Sequence, residues 1–236
     1  MSSRDLDLER RFAKLLAAFR EARRQNPRLR PFVVESFGLP KSYKTTLSNT
    51  AQHFLKREGW KISAPPEGPE EIETPRDTPF YNYRTFWYAM CQLHDRAESL
   101  FEAIILERAI FDHLTWLEYW RRKGKLDEAD QRTGEAYCLQ PLIRDRFDLH
   151  ICLVCDPKVA LQREVATAIS KREGETMNTK TMDALLDIHR GVWERFKCAD
   201  DPKMLWIDTT DMPIEEVCYL ALDAACAAFE RRLKSL

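Results

Sequence analysis

Gly38-Leu-Pro-Lys-Ser-Tyr-Lys-Thr45, GLPKSYKT, is the stretch on which the fold turns. A phosphate-binding loop reads G-x-x-x-x-G-K-[ST], and only its second glycine is replaced here, by Tyr43. Such a loop curls backbone N–H groups around phosphate oxygens, and the next helix aims its positive end at them. Gly38 permits the turn, Lys44 supplies a cation to the β- and γ-phosphates, and Thr45 supplies a hydroxyl to Mg²⁺. Gly38, Ser42, Tyr43, Lys44, Thr45 and Thr46 are therefore the expected phosphate contacts. Tyr43 leaves two outcomes open. With φ > 0, or with its ring toward the phosphate, it costs about 1–2 kcal/mol of strain and blocks the cradle. With the ring turned outward, the cradle survives.

The surroundings suit such a loop. Pro31 to Phe37 (PFVVESF) is an apolar run that predicts a buried strand, and Thr45 to Arg57 predicts a helix closed by Glu58-Gly59. Further short strands are predicted at 60–63, 101–106, 149–154 and 204–207. Helices are predicted at 4–25, 81–100, 111–123, across most of 127–147, over 158–197 with a break near Gly174, and at 213–233 behind an Asp211 cap. Residues 64–78 read as a loop rich in Pro and Glu. Short apolar strands alternating with helices define an α/β domain with a five-stranded parallel sheet, helices on both faces and ligands at the carboxyl ends of the strands. Residues 1–30 read as a helical extension and 31–236 as one domain. The stripe Leu8, Phe12, Leu15, Leu16, Phe19 on the first helix is expected to pack on that domain.

The bulk numbers narrow the function classes. A chain of 236 residues with 44% hydrophobic residues can bury a sizeable core in one domain. Its net charge of −1 carries no overall basic field, which disfavours nucleic acid as a partner. Seven scattered cysteines and no secretory pattern in the first 25 residues imply reduced thiols and a cytoplasmic setting. Cys152 and Cys155 lie in an apolar run with no second pair nearby, so they read as core residues rather than zinc ligands. No run is long enough to span a membrane. The five histidines show no ligand spacing.

Three further features stand where phosphoryl transfer would need them. Glu107-Arg108 closes the third strand, where the carboxylate can hold the water shell of Mg²⁺ and the guanidinium can grip a phosphate or a hydroxyl. Arg163, then Lys171 and Arg172, place cations over one helix and the loop after it, fit to neutralise a transferring phosphoryl group. Glu67, followed by Glu70, Glu71 and Glu73, leaves the second strand and offers a base for an acceptor hydroxyl.

The order of these parts resembles the thymidylate kinase and deoxynucleoside kinase group of P-loop kinases, with a degenerate phosphate loop. PFVVESFGLPKSYKTT, ILERAIFDHLTW, LHICLVCDPKVALQRE, the KREG segment and WIDTT carry the resemblance over roughly residues 30–230. It implies a three-layer P-loop NTPase fold of the nucleoside and nucleotide kinase kind, ATP with Mg²⁺, a mobile lid around 163–180 and a small nucleoside or nucleotide acceptor. Lys44, Thr45, Glu107, Arg108, Arg163, Arg172 and Glu67 would carry the group's phosphate, metal, lid and base roles. WIDTT would approach the adenine. The T-R-E-P-G-G of thymidylate kinases is absent, so that substrate is not implied.

In the group the aromatic helix beginning Tyr81-Asn-Tyr-Arg-Thr-Phe-Trp-Tyr88 lines the acceptor pocket. Tyr81 and Trp87 would stack a base, and Arg84 would hold a phosphate or a base edge. The same aromatics would also serve as a core face, with Phe80, Tyr83, Trp87 and Tyr88 inward. The expectation is a phosphotransferase acting on a nucleoside, nucleotide or similar acceptor. Two alternatives stay open: a nucleotide-binding regulatory or assembly subunit, and a kinase acting on a modified base in DNA. Exposed helix faces leave a homodimer open.

Overall fold

The computed structural model describes residues 3–73, 75–97, 101–167 and 177–236. In chain order the elements are α1 (Ser3–Gln25), β1 (Phe32–Gly38), α2 (Lys44–Arg57), β2 (Ile62–Ser63), α3 (Gly68–Glu71), α4 (Pro79–Ala97), β3 (Ala103–Glu107), α5 (Ile110–Arg122), α6 (Glu128–Leu139), α7 (Pro141–Arg144), β4 (Leu149–Val154), α8 (Pro157–Thr167), α9 (Thr179–Arg195), β5 (Met204–Asp208) and α10 (Ile214–Lys234). The sheet runs β2-β3-β1-β4-β5, and every pairing is parallel. Both faces are covered, which is why the strands read as unbroken apolar runs.

Alternation along the strands sorts the core into two layers. Phe32 and Val34 of β1, with Leu149, Ile151 and Leu153 of β4, face α1, α2 and α10. Val33 and Phe37, with Cys152 and Val154, face α4, α5 and α9. The stripe predicted on α1 is buried in the first layer, where Phe12 meets Phe54, Trp60 and Phe229 edge-on. Phe32 stacks on Phe229 with centroids 4.0 Å apart. Each such ring contributes roughly 1.5–3 kcal/mol by leaving water, so α1 is an integral part of this layer.

Two local expectations change. The 64–78 segment contains the short helix α3, started by Pro69 in its first turn, where the missing N–H costs nothing. α10 is capped at extended Pro213 without a side-chain bond, and Asp211 lies too far ahead to cap it. Glu215 and Glu216 in its first turn meet the helix dipole instead. Cys152 and Cys155 are both buried, and all seven cysteines are free. Among the described residues no helix is long and apolar enough to cross a membrane, and no cluster of three His, Cys, Asp or Glu side chains could hold a metal ion.

Candidate active site

β1 ends in the loop, and Gly38 is required there by contact as well as by conformation. Its φ is 127°, and a Cβ would lie 1.9 Å from the Leu153 carbonyl oxygen on β4. Further along, Tyr43 itself adopts the left-handed conformation that a glycine would supply, with φ 73° and ψ 14°. Lys41 is left-handed too, with φ 58°. The Tyr43 ring packs against the α1/α2/α10 layer, and the Arg163 guanidinium covers its face 4.0 Å from the centroid. The ring lines neither of the cavities described below. Of the two outcomes left open, the strained backbone and the outward ring occur together.

The loop interior is tied by one carbonyl. Leu39 O accepts from Ser42 Oγ at 2.7 Å and from Lys44 Nζ at 2.6 Å. Tyr43 gives α2 no side-chain cap, so the N–H groups of Lys44, Thr45 and Thr46 open the helix without intrahelical acceptors. Lys44 is buried. That burial, with Arg108 nearby, pushes its ammonium down to about 8 against the pull of Glu107, Glu67 and Asp112.

β3 delivers the next two groups. Thr45 Oγ1 donates to Glu107 Oε2 at 3.0 Å. Burial and the neighbouring Glu67 raise the Glu107 carboxyl, against Lys44, Thr45 and Arg108. A hydroxyl and a carboxylate converging at one point are hard oxygen donors, the kind Mg²⁺ takes in ones and twos while keeping its waters. Arg108 is left-handed, with φ 60°, and its N–H donates to Ser36 O. Its guanidinium spans Glu67 (2.5 Å) and Asp112 (3.1 Å). Burial alone would lower the Arg108 pKa, but Asp112, Glu67 and Glu107 outweigh it and raise it. Burial would raise Glu67, yet Arg108 holds that carboxylate below its usual range. Burial raises Asp112 despite Arg108. Of the four glutamates in this stretch, Glu67 reaches Arg108, while Glu70, Glu71 and Glu73 are exposed.

The Arg108 turn is held from beneath by a residue that sequence reading passed over. Glu35, fully buried on β1, accepts N–H bonds from Ala109 (2.8 Å), Phe111 (3.1 Å) and Asp112 (3.4 Å). It thereby caps α5, which has no side-chain cap of its own. Its other oxygen meets His150 Nδ1 on β4 at 2.7 Å, and that ring lies between Phe111 and Phe147. The available signal was a carboxylate inside an apolar strand, since a buried charge demands partners.

Beyond Arg108 lies a cavity of about 590 Å³, walled by Tyr81, Asn82 and Thr85 of α4 and by Asp112, Trp116 and Trp120 of α5. Trp120 Nε1 donates to Asn82 Oδ1 at 2.6 Å, locking the two helices. Tyr81 is thus on the cavity wall, whereas Arg84 and Trp87 are exposed and are not among its lining residues. The helical phase explains this. The inward face of α4 runs through Asn82, Phe86, Ala89 and Leu93, a quarter turn from Trp87. Phe80 and Trp87 do not form a core face either, being 56% and 43% exposed.

Arg163 is tied to the phosphate loop and to the residue that follows β5. Besides covering Tyr43, it donates to Lys41 O (3.1 Å), Thr209 Oγ1 (3.0 Å) and Thr209 O (2.6 Å). Its neighbour Glu164 pairs with Lys41 at 2.7 Å, so α8 braces the loop twice. Arg172, with Lys171 and the break at Gly174, lies outside the described residues. A second cavity of about 630 Å³ opens past the ends of β4 and β5, lined by Asp156, Leu186, Arg190, Asp208 and Thr210 among others.

These features define the fold of the P-loop nucleoside and nucleotide kinases. Solved structures agree. Deoxyadenosine kinase from M. mycoides with bound dATP superposes with a TM-score of 0.57 at 18% identity, covering 81% of this chain and 97% of that one. The same kinase with bound dCTP gives 0.57 at 16% identity, over 87% and 100%. Thymidylate kinase from Candida albicans gives 0.54 at 13% identity, over 82% and 90%. No protein-family model matches the sequence, and no curated protein matches it. At these identities the likeness is one of fold.

Proposed function

We propose that the protein is a phosphotransferase of the kinase kind, moving the γ-phosphoryl group of ATP to a hydroxyl of a nucleoside- or nucleotide-like acceptor. The observation that carries the reading is the grouping of Lys44, the Thr45–Glu107 pair and the Glu67–Arg108–Asp112 cluster at one sheet edge, opening onto an aromatic cavity.

In this reading Lys44 leaves Leu39 O for the β- and γ-phosphates, and the N–H groups of Lys44, Thr45 and Thr46 receive phosphate oxygens. Thr45 and Glu107 would hold Mg²⁺, which supplies neutralising charge. Glu67, kept ionised by Arg108, accepts the proton of the acceptor hydroxyl. Arg108, fixed by two carboxylates, faces the transferring group from the acceptor side. Arg163 acts as a brace for the loop. The base of the donor fits the cavity past β4 and β5. Positioning and electrostatics together do the chemistry, as phosphoryl transfer requires.

The test is transfer from labelled ATP, with Mg²⁺, to a panel of nucleosides and their monophosphates. Lys44→Ala should lower turnover by roughly 10²–10³-fold, the scale of losing one preorganised charge-stabilising donor, in a variant whose circular dichroism shows the native fold. Undiminished turnover in the folded variant overturns the mechanism. A second reading is a nucleotide-binding regulatory subunit, favoured by Tyr43 at φ 73° under Arg163. It predicts MgATP binding without transfer to any panel member.

A further inference from the structure

The acceptor cavity is electrically polar along its length, and this bears on which end of the acceptor enters first. α5 runs along one wall. At its N-terminal end Arg108 is outnumbered by its partners Glu67 and Asp112. Beyond the C-terminal end of α5 the balance reverses. Lys123 and Lys125 line the cavity there with Asp77 as the nearby acid. Lys123 Nζ folds back over the Tyr119 ring at 5.5 Å, and Lys125 Nζ lies 5.1 Å over Trp120. Lys125 also meets Asp77, whose carboxylate is 3.9 Å away. Among the described residues Lys123 forms no ion pair with a carboxylate, while Arg76 belongs to the other end, donating to Pro69 O, lying 6.0 Å over Tyr81 and helping to hold Glu67 ionised. From Asp112 to Tyr119 the helix rises roughly 10 Å at 1.5 Å per residue, about the length of a nucleoside, with Trp116 between.

We propose that the acceptor already carries a phosphate, and that it binds with that phosphate on Lys123 and Lys125 and its phosphorylatable hydroxyl at the opposite end, toward Glu67 and Arg108. The inference rests on the phosphotransferase reading and deepens it. The inner end holds the base that accepts a hydroxyl proton, and its guanidinium, Arg108, is already held by two carboxylates. A lysine-lined outer end is wasted on a neutral nucleoside and suits a phosphate ester. The acceptor class is therefore a nucleotide whose hydroxyl and phosphate lie at opposite ends. That phosphate belongs either to a free mononucleotide or to a strand.

Binding separates these cases without relying on turnover. Nucleosides, their 3′- and 5′-monophosphates and a short single strand are titrated by calorimetry, with saturating MgADP occupying the donor site. At least one monophosphate should bind about tenfold tighter than its nucleoside, the scale of one charge-assisted contact. That advantage should vanish in a Lys123→Ala/Lys125→Ala double variant, whose altered side chains are exposed and leave the fold intact. A strand that outbinds the mononucleotide through the same lysines supports the inference and names the strand as the source. Nucleosides binding as tightly as monophosphates, or an advantage that persists in the double variant, overturn it while leaving the phosphotransferase reading standing. If MgADP binds but no nucleoside, nucleotide or strand does, the acceptor reading and this inference fall together.

Discussion

The two edges of the sheet each bury an arginine–carboxylate cluster, and they are built to opposite ends. At the amino edge, Asp148 accepts from Arg30 twice at 2.9 Å, from Arg232 at 3.0 Å and from the Val33 N–H at 2.8 Å. Arg232 also donates to Arg30 O and covers the Phe32 ring. Every oxygen is taken by protein. At the carboxyl edge, Arg108 holds two carboxylates but opens onto a cavity, and Lys44 is spent on a loop carbonyl. Three left-handed non-glycine residues, Lys41, Tyr43 and Arg108, crowd this edge, while the fourth among the described residues, Lys197, lies in the turn after α9. A shifted pKa does not separate the edges, since burial lowers Arg232 to about 10 at the structural one. Stored backbone strain beside a cavity does.

The largest effect tests the closed edge. Asp148→Ala leaves Arg232 buried without its carboxylate, and breaking such a pair costs about 3–5 kcal/mol. Thermal unfolding should report that loss, while the protein that remains folded keeps full ligand affinity. A loss below about 1 kcal/mol would mean that the cluster is no staple.

Next comes the pH response of the open edge. The Lys44 ammonium falls to about 8 in the fold from 10.5, so between those values the unfolded chain binds the extra proton. Stability therefore rises with pH through this window, by about 3 kcal/mol for a shift of this size. MgATP affinity runs the other way, falling as pH passes 8 and the cation is lost. The stability difference between wild type and Lys44→Met isolates this titration from the others. Parallel slopes of stability and affinity would contradict the assignment.

Smaller again is the cap beneath the Arg108 turn. Glu35→Gln keeps an acceptor for the α5 N–H groups but puts a donor near them or near His150, at a cost of about 1–3 kcal/mol. Because Arg108 rides on that turn, acceptor binding should weaken as well. An unchanged melting temperature would remove Glu35 from this role.

The contrast between edges also marks what sequence alone made legible. β1, the loop and α2 were readable because each local signal agreed: apolar run, glycine, lysine, threonine, helix. Glu67, Glu107 and Arg108 were readable as groups at strand ends. What stayed hidden depends on partners distant in sequence. Glu35 meets His150 from a strand 115 residues away, and Arg163 reaches back 122 residues to Lys41. Neither spacing is periodic. On α4 the density of aromatics drew attention to Trp87, while helical phase gave the cavity to Tyr81, Asn82 and Thr85. Trp116 and Trp120 looked like ordinary helix residues until Asn82 and the lysines were placed beside them.

The smallest effect concerns the residue that made the loop doubtful. Tyr43→Gly would relieve about 1–2 kcal/mol of left-handed strain. Against this, glycine costs about 0.5–1 kcal/mol in unfolded-chain entropy, and the ring gives up its packing and a cation–π contact worth about 0.5–1 kcal/mol with Arg163. The half-buried ring contributes about a further 1 kcal/mol as apolar contact, about half of what a fully buried side chain gives. The balance predicts a variant about 1 kcal/mol less stable, not more. Since the ring lines neither cavity, MgATP affinity should stay within about threefold of wild type. A glycine variant that binds MgATP when wild type does not would show that Tyr43 closes the cradle, and would move the open edge from catalysis to regulation.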